Sequence, residues 1–214
     1  MFIIVYKLRL GKMEEKSMTE WEKAKQGYLY DANNDKEIIE ARNKCADLCY
    51  EYNMCRPSDT NAREKIIKEM FGSVKGSFYI TQPFYCDYGF NISIGNNFYT
   101  NYNCSILDGA KVSFGDNVFI APGCVFSTAG HAIDAKMRAE GLEIALPITV
   151  GDDVWIGANV TVLPGVTIGS NTVIGAGSVV TKDIPSGVIA LGNPCRVIRN
   201  ITEKDKEKYP VWKE

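Results

Sequence analysis

The chain holds a single histidine, His131, at the head of the polar stretch 130–147, GHAIDAKMRAEGLEIALP. An unperturbed imidazole titrates near pH 6.5, so it can take up and return a proton under neutral conditions. A lone loop histidine without such a task is an ordinary surface residue. One histidine also removes the multi-histidine metal sites, including the three-ligand zinc hydrolase and carbonic anhydrase types. The seven cysteines (45, 49, 55, 86, 104, 124, 195) are odd in number and show no C-x-x-C spacing, so neither a disulfide framework nor a zinc ribbon is expected. No P-loop or G-x-G-x-x-G is present, which disfavours nucleotide hydrolysis and dinucleotide redox chemistry.

Whatever chemistry His131 performs needs a scaffold, and 214 residues with 45% apolar and 23% charged side chains suffice for one well-buried core and a small appendage. With 24 basic against 26 acidic residues the formal charge is −2, so no general attraction to nucleic acid or an anionic membrane is expected. The apolar start, MFIIVY, is too short for a signal core, is followed by Lys7 and Arg9, and lacks a small-residue cleavage site. These features predict a cytoplasmic protein with reduced thiols.

Composition changes at Gly72: 17 of the 19 glycines fall there or later. The preceding part reads as short helices. Thr19 and Glu22 form a capping-box pair ahead of the first. Residues 35–53 place Ile38, Ile39, Ala41, Arg42, Cys45, Ala46, Leu48 and Cys49 at helical spacing, and a third helix from about Asn61 to Phe71 presents Ile66, Ile67, Met70 and Phe71. Such stripes predict a clasp docked on the second half.

That second half repeats. Stepping by six from Val150 reaches Ile156, Val162, Ile168, Ile174 and Val180, all β-branched, with glycine next at 151, 157, 169 and 175. Four residues further along each hexad stand Val154, Val160, Val166, Thr172, Ser178 and Ile184, a second inward set. A weaker run passes through Ile94, Thr100 and Ile106, then Phe114, Ile120 and Phe126 after two extra residues. A period of six suits neither an α-helix nor a hairpin meander; it suits a solenoid in which three hexads close a triangular coil, with a column about 25 Å tall at a strand spacing of about 4.8 Å.

Hexads such as IGANVT, IGSNTV and IGAGSV resemble those of the hexapeptide-repeat acyltransferases. The ordered motifs KEMFGSV, NFYTNYNCSILD, GHAID, VWIGANVTVLPGVTIG and GAGSVVTKDIPSGVIALGNPCRVIR resemble the sugar O-acetyltransferase branch, with its galactoside, maltose and nodulation-factor enzymes, over roughly residues 19–202. The resemblance implies a mainly β fold, a left-handed parallel β-helix with a small N-terminal helical segment and a protruding loop. It divides the chain into an extension (1–17), a helical segment (18–72), a β-helix catalytic domain (73–202) with the loop 130–147, and a tail (203–214).

The same resemblance implies an acetyl-CoA cosubstrate, a sugar acceptor and a homotrimer with sites between columns. It makes His131 the general base and Asn101 of a neighbouring chain its partner in transition-state hydrogen bonding or acceptor binding; Asn101 also reads as a plain turn residue. Asp31, Asp87 and Asn101 become acceptor contacts, and Trp155 an aromatic residue near the transfer tunnel or a subunit contact. Ala158, Ala176, Thr181, Lys182, Arg196 and Arg199 become coenzyme contacts, the cations pairing with phosphates. Asp87 stands where the galactoside enzyme has serine, and Gly109 where it has a second acidic residue after Asp108, so a galactoside acceptor is disfavoured. No metal is required by this chemistry. The alternatives are an acetyltransferase for an antibiotic or amino sugar on the same fold, and a non-catalytic β-helix scaffold.

Overall fold

The structure, a computed structural model, describes residues 18–210 and Trp212. The extension read at residues 1–17 lies outside the described residues.

The six-residue period builds three parallel sheets that the chain visits in turn. The first face stacks Ser73–Val74, Ile92–Ile94, Val112–Phe114, Ile148–Val150 and Thr167–Ile168. The second stacks Phe78–Ile80, Phe98–Thr100, Phe119–Ile120, Val154–Ile156, Thr172–Ile174 and Val188–Leu191, and the third Phe84–Cys86, Cys104–Leu107, Val125–Ser127, Thr161–Val162 and Val179–Val180. This is a parallel β-helix. Ladder residues fill its interior: Thr100, Ile106, Ile120, Phe126, Ile156, Val162, Ile168, Ile174 and Val180 are all 0% exposed. The second inward set is buried too, with the Thr172 hydroxyl donating to the Pro185 carbonyl at 3.1 Å and the Ser178 hydroxyl to the Gly175 carbonyl at 2.5 Å. Both of these buried hydroxyls are thus paired, Thr172 with the next coil and Ser178 within its own turn, which the low-dielectric interior requires.

The column starts one coil earlier than the hexad run suggests. Val74, Ile80 and Cys86 occupy the same ladder below Ile94, Thr100 and Ile106. Strand registers also reveal where the period breaks. Phe84 lies opposite Cys104 and Ile106 opposite Phe126, a step of 20, whereas Val162 lies opposite Val180, a step of 18. The two additional residues of each early coil sit between the third face and the next strand of the first face. At that same edge the step from Phe126 to Val162 is 36, so the protruding loop leaves the column there. The other two edges turn tightly. Asn97, Asn117, Asp153 and Asn171 take left-handed backbone angles at the first, and the side-chain amide of Asn97 donates to Asn117, and that of Asn117 to Asp153, each at 2.9 Å. At the second edge Gly157 has no room for a side chain, since a Cβ would meet the Ala176 backbone nitrogen at 2.5 Å.

Below the column lie helices α1 (Glu20–Lys25), α2 (Lys36–Met54) and α3 (Thr60–Met70). The Thr19–Glu22 capping box is present, and Asp35 and Asp59 cap α2 and α3 through their side chains. Ile38, Cys45 and Cys49 face inward as the stripe predicts; Ala46 instead faces solvent, and Tyr52, a full turn beyond Cys49 on the inward face, is buried. Cys45, Cys49, Tyr52, Ile67, Met70 and Phe71 join the same apolar core as the lowest coils, so the helices close the bottom of the column. Asn53 locks the base by donating to the Phe84 carbonyl and accepting from the Phe84 backbone nitrogen, both at 2.9 Å.

Candidate active site

The loop read as a polar interruption has structure of its own. Strands Ala129–His131 and Leu142–Ala145 pair antiparallel, with α4 (Ala135–Ala139) between them, capped by Asp134. Tyr30–Asp31 adds a third strand on the far side of Leu142–Ala145. His131 is registered with Glu143, and Glu143 with Tyr30, so all three side chains stand on one face of this small sheet. The sheet is held to the base by a second apolar cluster of Ala24, Tyr30, Ala32, Ile38, Tyr88 and Ala145, with Trp21 packed against it.

His131 Nε2 lies 3.8 Å from Glu143 Oε1, ion-pair range but beyond a hydrogen bond. The imidazole is 55% exposed and the Glu143 side chain only 15%. Glu143 in turn accepts from the Tyr30 hydroxyl at 3.4 Å and from the Asn33 side-chain amide at 3.3 Å, so its carboxylate is oriented by two donors. Burial, then the nearby Glu143 charge, pushes the Tyr30 phenol well above its ordinary range.

These side chains open on a cavity of about 300 Å³ at the wide edge, to which Asp87, Arg42 and Tyr88 also contribute. Asp87 is pushed up to about 6, by burial first and by Asp108 second, with Arg42 opposing. Asp108 is fully buried and accepts from the backbone nitrogens of Asp87 and Tyr88 at 3.0 and 2.9 Å, which fixes the turn that presents Asp87. A larger cavity, about 610 Å³, lies on the other side of the loop's foot between Trp21 and Lys111; no carboxylate or imidazole lines it, whereas His131, Glu143 and Asp87 line the smaller one.

The remaining residues singled out in the sequence separate by edge. Thr181 and Lys182 follow the last strand of the third face, on the same edge as Asp87 and His131. Lys182 makes no ion pair among the described residues and is exposed. Asn101, Ala158 and Ala176 lie on the second edge, each just after a strand of the second face. Asn101 Oδ1 accepts from the Tyr102 backbone nitrogen at 2.8 Å, the turn geometry of the plain reading. Trp155 stands on the second face, 55% exposed, registered between Phe119 and Val173. Asp31 accepts from the Asn33 and Asn34 backbone nitrogens at 3.1 and 2.9 Å, which lowers its carboxyl against the effect of burial; it does not line the His131 cavity.

Arg196 and Arg199 belong to a final strand, Arg196–Asn200, antiparallel to the top strand of the second face. Arg199 is engaged by Asp205 through two bonds of 2.6 and 2.8 Å, and Arg196 donates to the Cys195 carbonyl at 2.8 Å. One chain therefore gathers Asp87, His131, Thr181 and Lys182 along one edge and Asn101, Ala158 and Ala176 along another. Sequence reasoning missed Glu143, whose only signal was its place in the loop, and Tyr30 and Arg42, which reach the cavity from the helical base.

A parallel β-helix on a helical base, with an imidazole and a carboxylate on a hairpin thrown from one edge, defines a hexapeptide-repeat transferase. Residues 23–76 match the maltose acetyltransferase hexapeptide capping motif, and residues 147–182 match the bacterial transferase hexapeptide of six repeats. The galactoside O-acetyltransferase of Escherichia coli strain K12 is 47% identical over 172 residues, 80% of this chain and 85% of that protein. A crystal structure of a maltose O-acetyltransferase from Clostridium difficile 630 superposes with a TM-score of 0.85 at 48% identity, over 87% of this chain and 99% of that one. A galactoside acetyltransferase in complex with coenzyme A superposes with a TM-score of 0.88 at 45% identity, over 92% and 100%. The chain belongs to the hexapeptide-repeat acetyltransferase family that contains the galactoside and maltose O-acetyltransferases. Among the described residues no helix is long and apolar enough to cross a membrane, and all seven cysteines are unbridged.

Proposed function

We propose that this protein is an acetyl-CoA-dependent O-acetyltransferase that transfers acetyl to a hydroxyl of a sugar by direct attack, with His131 as general base. The observation that carries the reading is the cavity of about 300 Å³ that His131, Glu143 and Asp87 line together at the wide edge. An alcohol is a poor nucleophile at neutral pH because its pKa lies far above 7, so the attacking oxygen must lose its proton as the new C–O bond forms. His131 takes that proton and passes it to the sulfur as the C–S bond breaks, leaving ester and free thiol. Glu143, 3.8 Å from Nε2, faces the imidazolium that exists between the two transfers. Asp87 can accept hydrogen bonds from two acceptor hydroxyls and so orient a hexose.

Asn101, Ala158 and Ala176 occupy an edge that His131 does not. A cyclic trimer with the second edge of one column against the third edge of the next joins the two half-sites, with Asn101 of one chain toward His131 of the other. In that arrangement Ala158 and Ala176 present backbone groups to pantetheine, and Thr181, Lys182, Arg196 and Arg199 the charges and hydroxyls for the nucleotide end. Arg199 exchanges Asp205 for phosphate in this scheme. The cytoplasm, where acetyl-CoA and reduced thiols coexist, is the compartment that suits the reaction.

The test is thiol release from acetyl-CoA with a panel of mono- and disaccharides and a no-acceptor control, on the wild type and His131→Ala. A sugar-dependent rate that falls about 10²- to 10⁴-fold in the variant, with coenzyme binding retained, is expected. Near-normal turnover of His131→Ala, or no sugar-dependent thiol release from the wild type, overturns the reading.

A further inference from the structure

Four sulfur atoms converge where the helical base meets the first coil. Cys45 and Cys49 are one helical turn apart on α2, Cys86 ends the first strand of the third face, and Met70 ends α3. Cys86 Sγ lies 3.4 Å from Cys45 Sγ, 3.9 Å from Cys49 Sγ and 3.3 Å from Met70 Sδ. The three thiols all lie within 4.8 Å of one another. All four residues are buried, and neither the acyl-transfer chemistry nor the ladder needs a sulfur at any of them.

We propose that this cluster is a binding site for a soft monovalent metal ion, copper(I), ligated by Cys45, Cys49 and Cys86, with Met70 as a weaker fourth ligand. Spacing favours a metal over a disulfide. Three sulfurs around an ion at a bond length of about 2.3 Å stand about 4.0 Å apart, close to the separations present. A disulfide needs about 2.05 Å, so Cys45 and Cys86 would have to close by more than 1 Å inside a packed core. Ligand type selects the ion: thiolate and thioether donors with no imidazole or carboxylate among them suit copper(I). Each thiol that ligates releases its proton to solvent, so sulfur and metal keep their oxidation states. Two clefts reach the cluster. One of about 340 Å³ is lined by Cys49, Cys86 and the exposed Met54, the other of about 190 Å³ by Cys45 and Met70.

The test is anaerobic titration of the full, reduced chain with copper(I) held by the chelator bicinchoninate. The expected result is one equivalent of copper withdrawn from the chelator, with a rise in thermal midpoint and unchanged circular dichroism. Cys45→Ala, Cys49→Ala and Cys86→Ser each weaken uptake at least about 10-fold, a first ligand counting for no less than its supporting shell. Met70→Leu weakens it less, and Cys55→Ser, outside the cluster, leaves it intact. Failure of the folded wild type to withdraw copper overturns the proposal. So does equal uptake by a folded Cys45→Ala/Cys49→Ala variant, or a Cys45–Cys86 disulfide that forms readily in air while the reduced protein binds no copper.

Discussion

Glu143→Gln isolates the electrostatic part of the site while sparing its shape. Glutamine is nearly isosteric; its oxygen can still accept from Asn33 while its amide N–H donates to the Tyr30 hydroxyl, so the three-stranded sheet that carries His131 should persist. What is lost is one negative charge 3.8 Å from the imidazole. Two unit charges at that separation attract by about 1 kcal/mol at the dielectric constant of water and by about 2 kcal/mol at half that value. A pair with one half-exposed and one mostly buried member falls between these limits. If the imidazolium forms in the transition state, the barrier rises by this amount, and kcat falls about 6- to 40-fold. The assay is thiol release at saturating acceptor, with KM for acetyl-CoA measured alongside; that constant is expected to stay put. Raising salt should slow the wild type more than the variant, because only the wild type has the pair to screen. A variant within twofold of wild-type kcat, or one altered only in KM, refutes the proposed role of Glu143.

Three further outcomes follow from the same geometry. Asp87 carries a carboxyl raised to about 6 by burial, so its neutral form favours the fold below about pH 4, and that contribution is lost as pH rises toward 6. Asp87→Asn should therefore gain stability relative to wild type at neutral pH, by at most about 2 kcal/mol, and show no such gain near pH 4 in urea unfolding; an equal difference at both pH values contradicts it. Ile120→Ala, at a ladder position with 0% exposure, should cost about 2–5 kcal/mol in the same measurement, and a smaller loss would mean the coils collapse to fill the void. Lys182→Ala should raise KM for acetyl-CoA several-fold with kcat little changed, since a single solvated phosphate contact contributes about 1 kcal/mol; an unchanged KM removes it from the coenzyme site.

The coils were legible because interior positions recur every six residues. From Val150 to Val180 every sixth residue is β-branched, and the turn glycines punctuate the run. The lowest coil fell inside the span 73–202 that the resemblance assigns to the β-helix but outside the hexad run, because Val74, Ile80 and Cys86 lack that punctuation and eight residues rather than six separate Cys86 from Ile94. His131 was visible as a unique residue in a break of the pattern. Glu143 was not, because its meeting with His131 depends on a hairpin register that spans a short helix, and local sequence carries no mark of it. Ala46 was misjudged for a related reason: the inward face of α2 is set by what the first coil offers, and it continues to Tyr52, whose hydroxyl donates to the Ile80 carbonyl at 2.5 Å. The thiol cluster is likewise a tertiary event, since 37 residues part Cys49 from Cys86.

The uneven coil length has an evolutionary consequence. Surplus residues enter this column along a single seam, where steps of 20 and 36 replace the regular 18, while the opposite seams are pinned by left-handed asparagines and by glycines with backbone pressed against them. Insertions and deletions can therefore accumulate on the seam that holds His131 and Asp87 without shifting the stacking elsewhere. Related columns can diversify what they recognise by changing the length of one seam, and must adjust the rest by replacing residues one at a time.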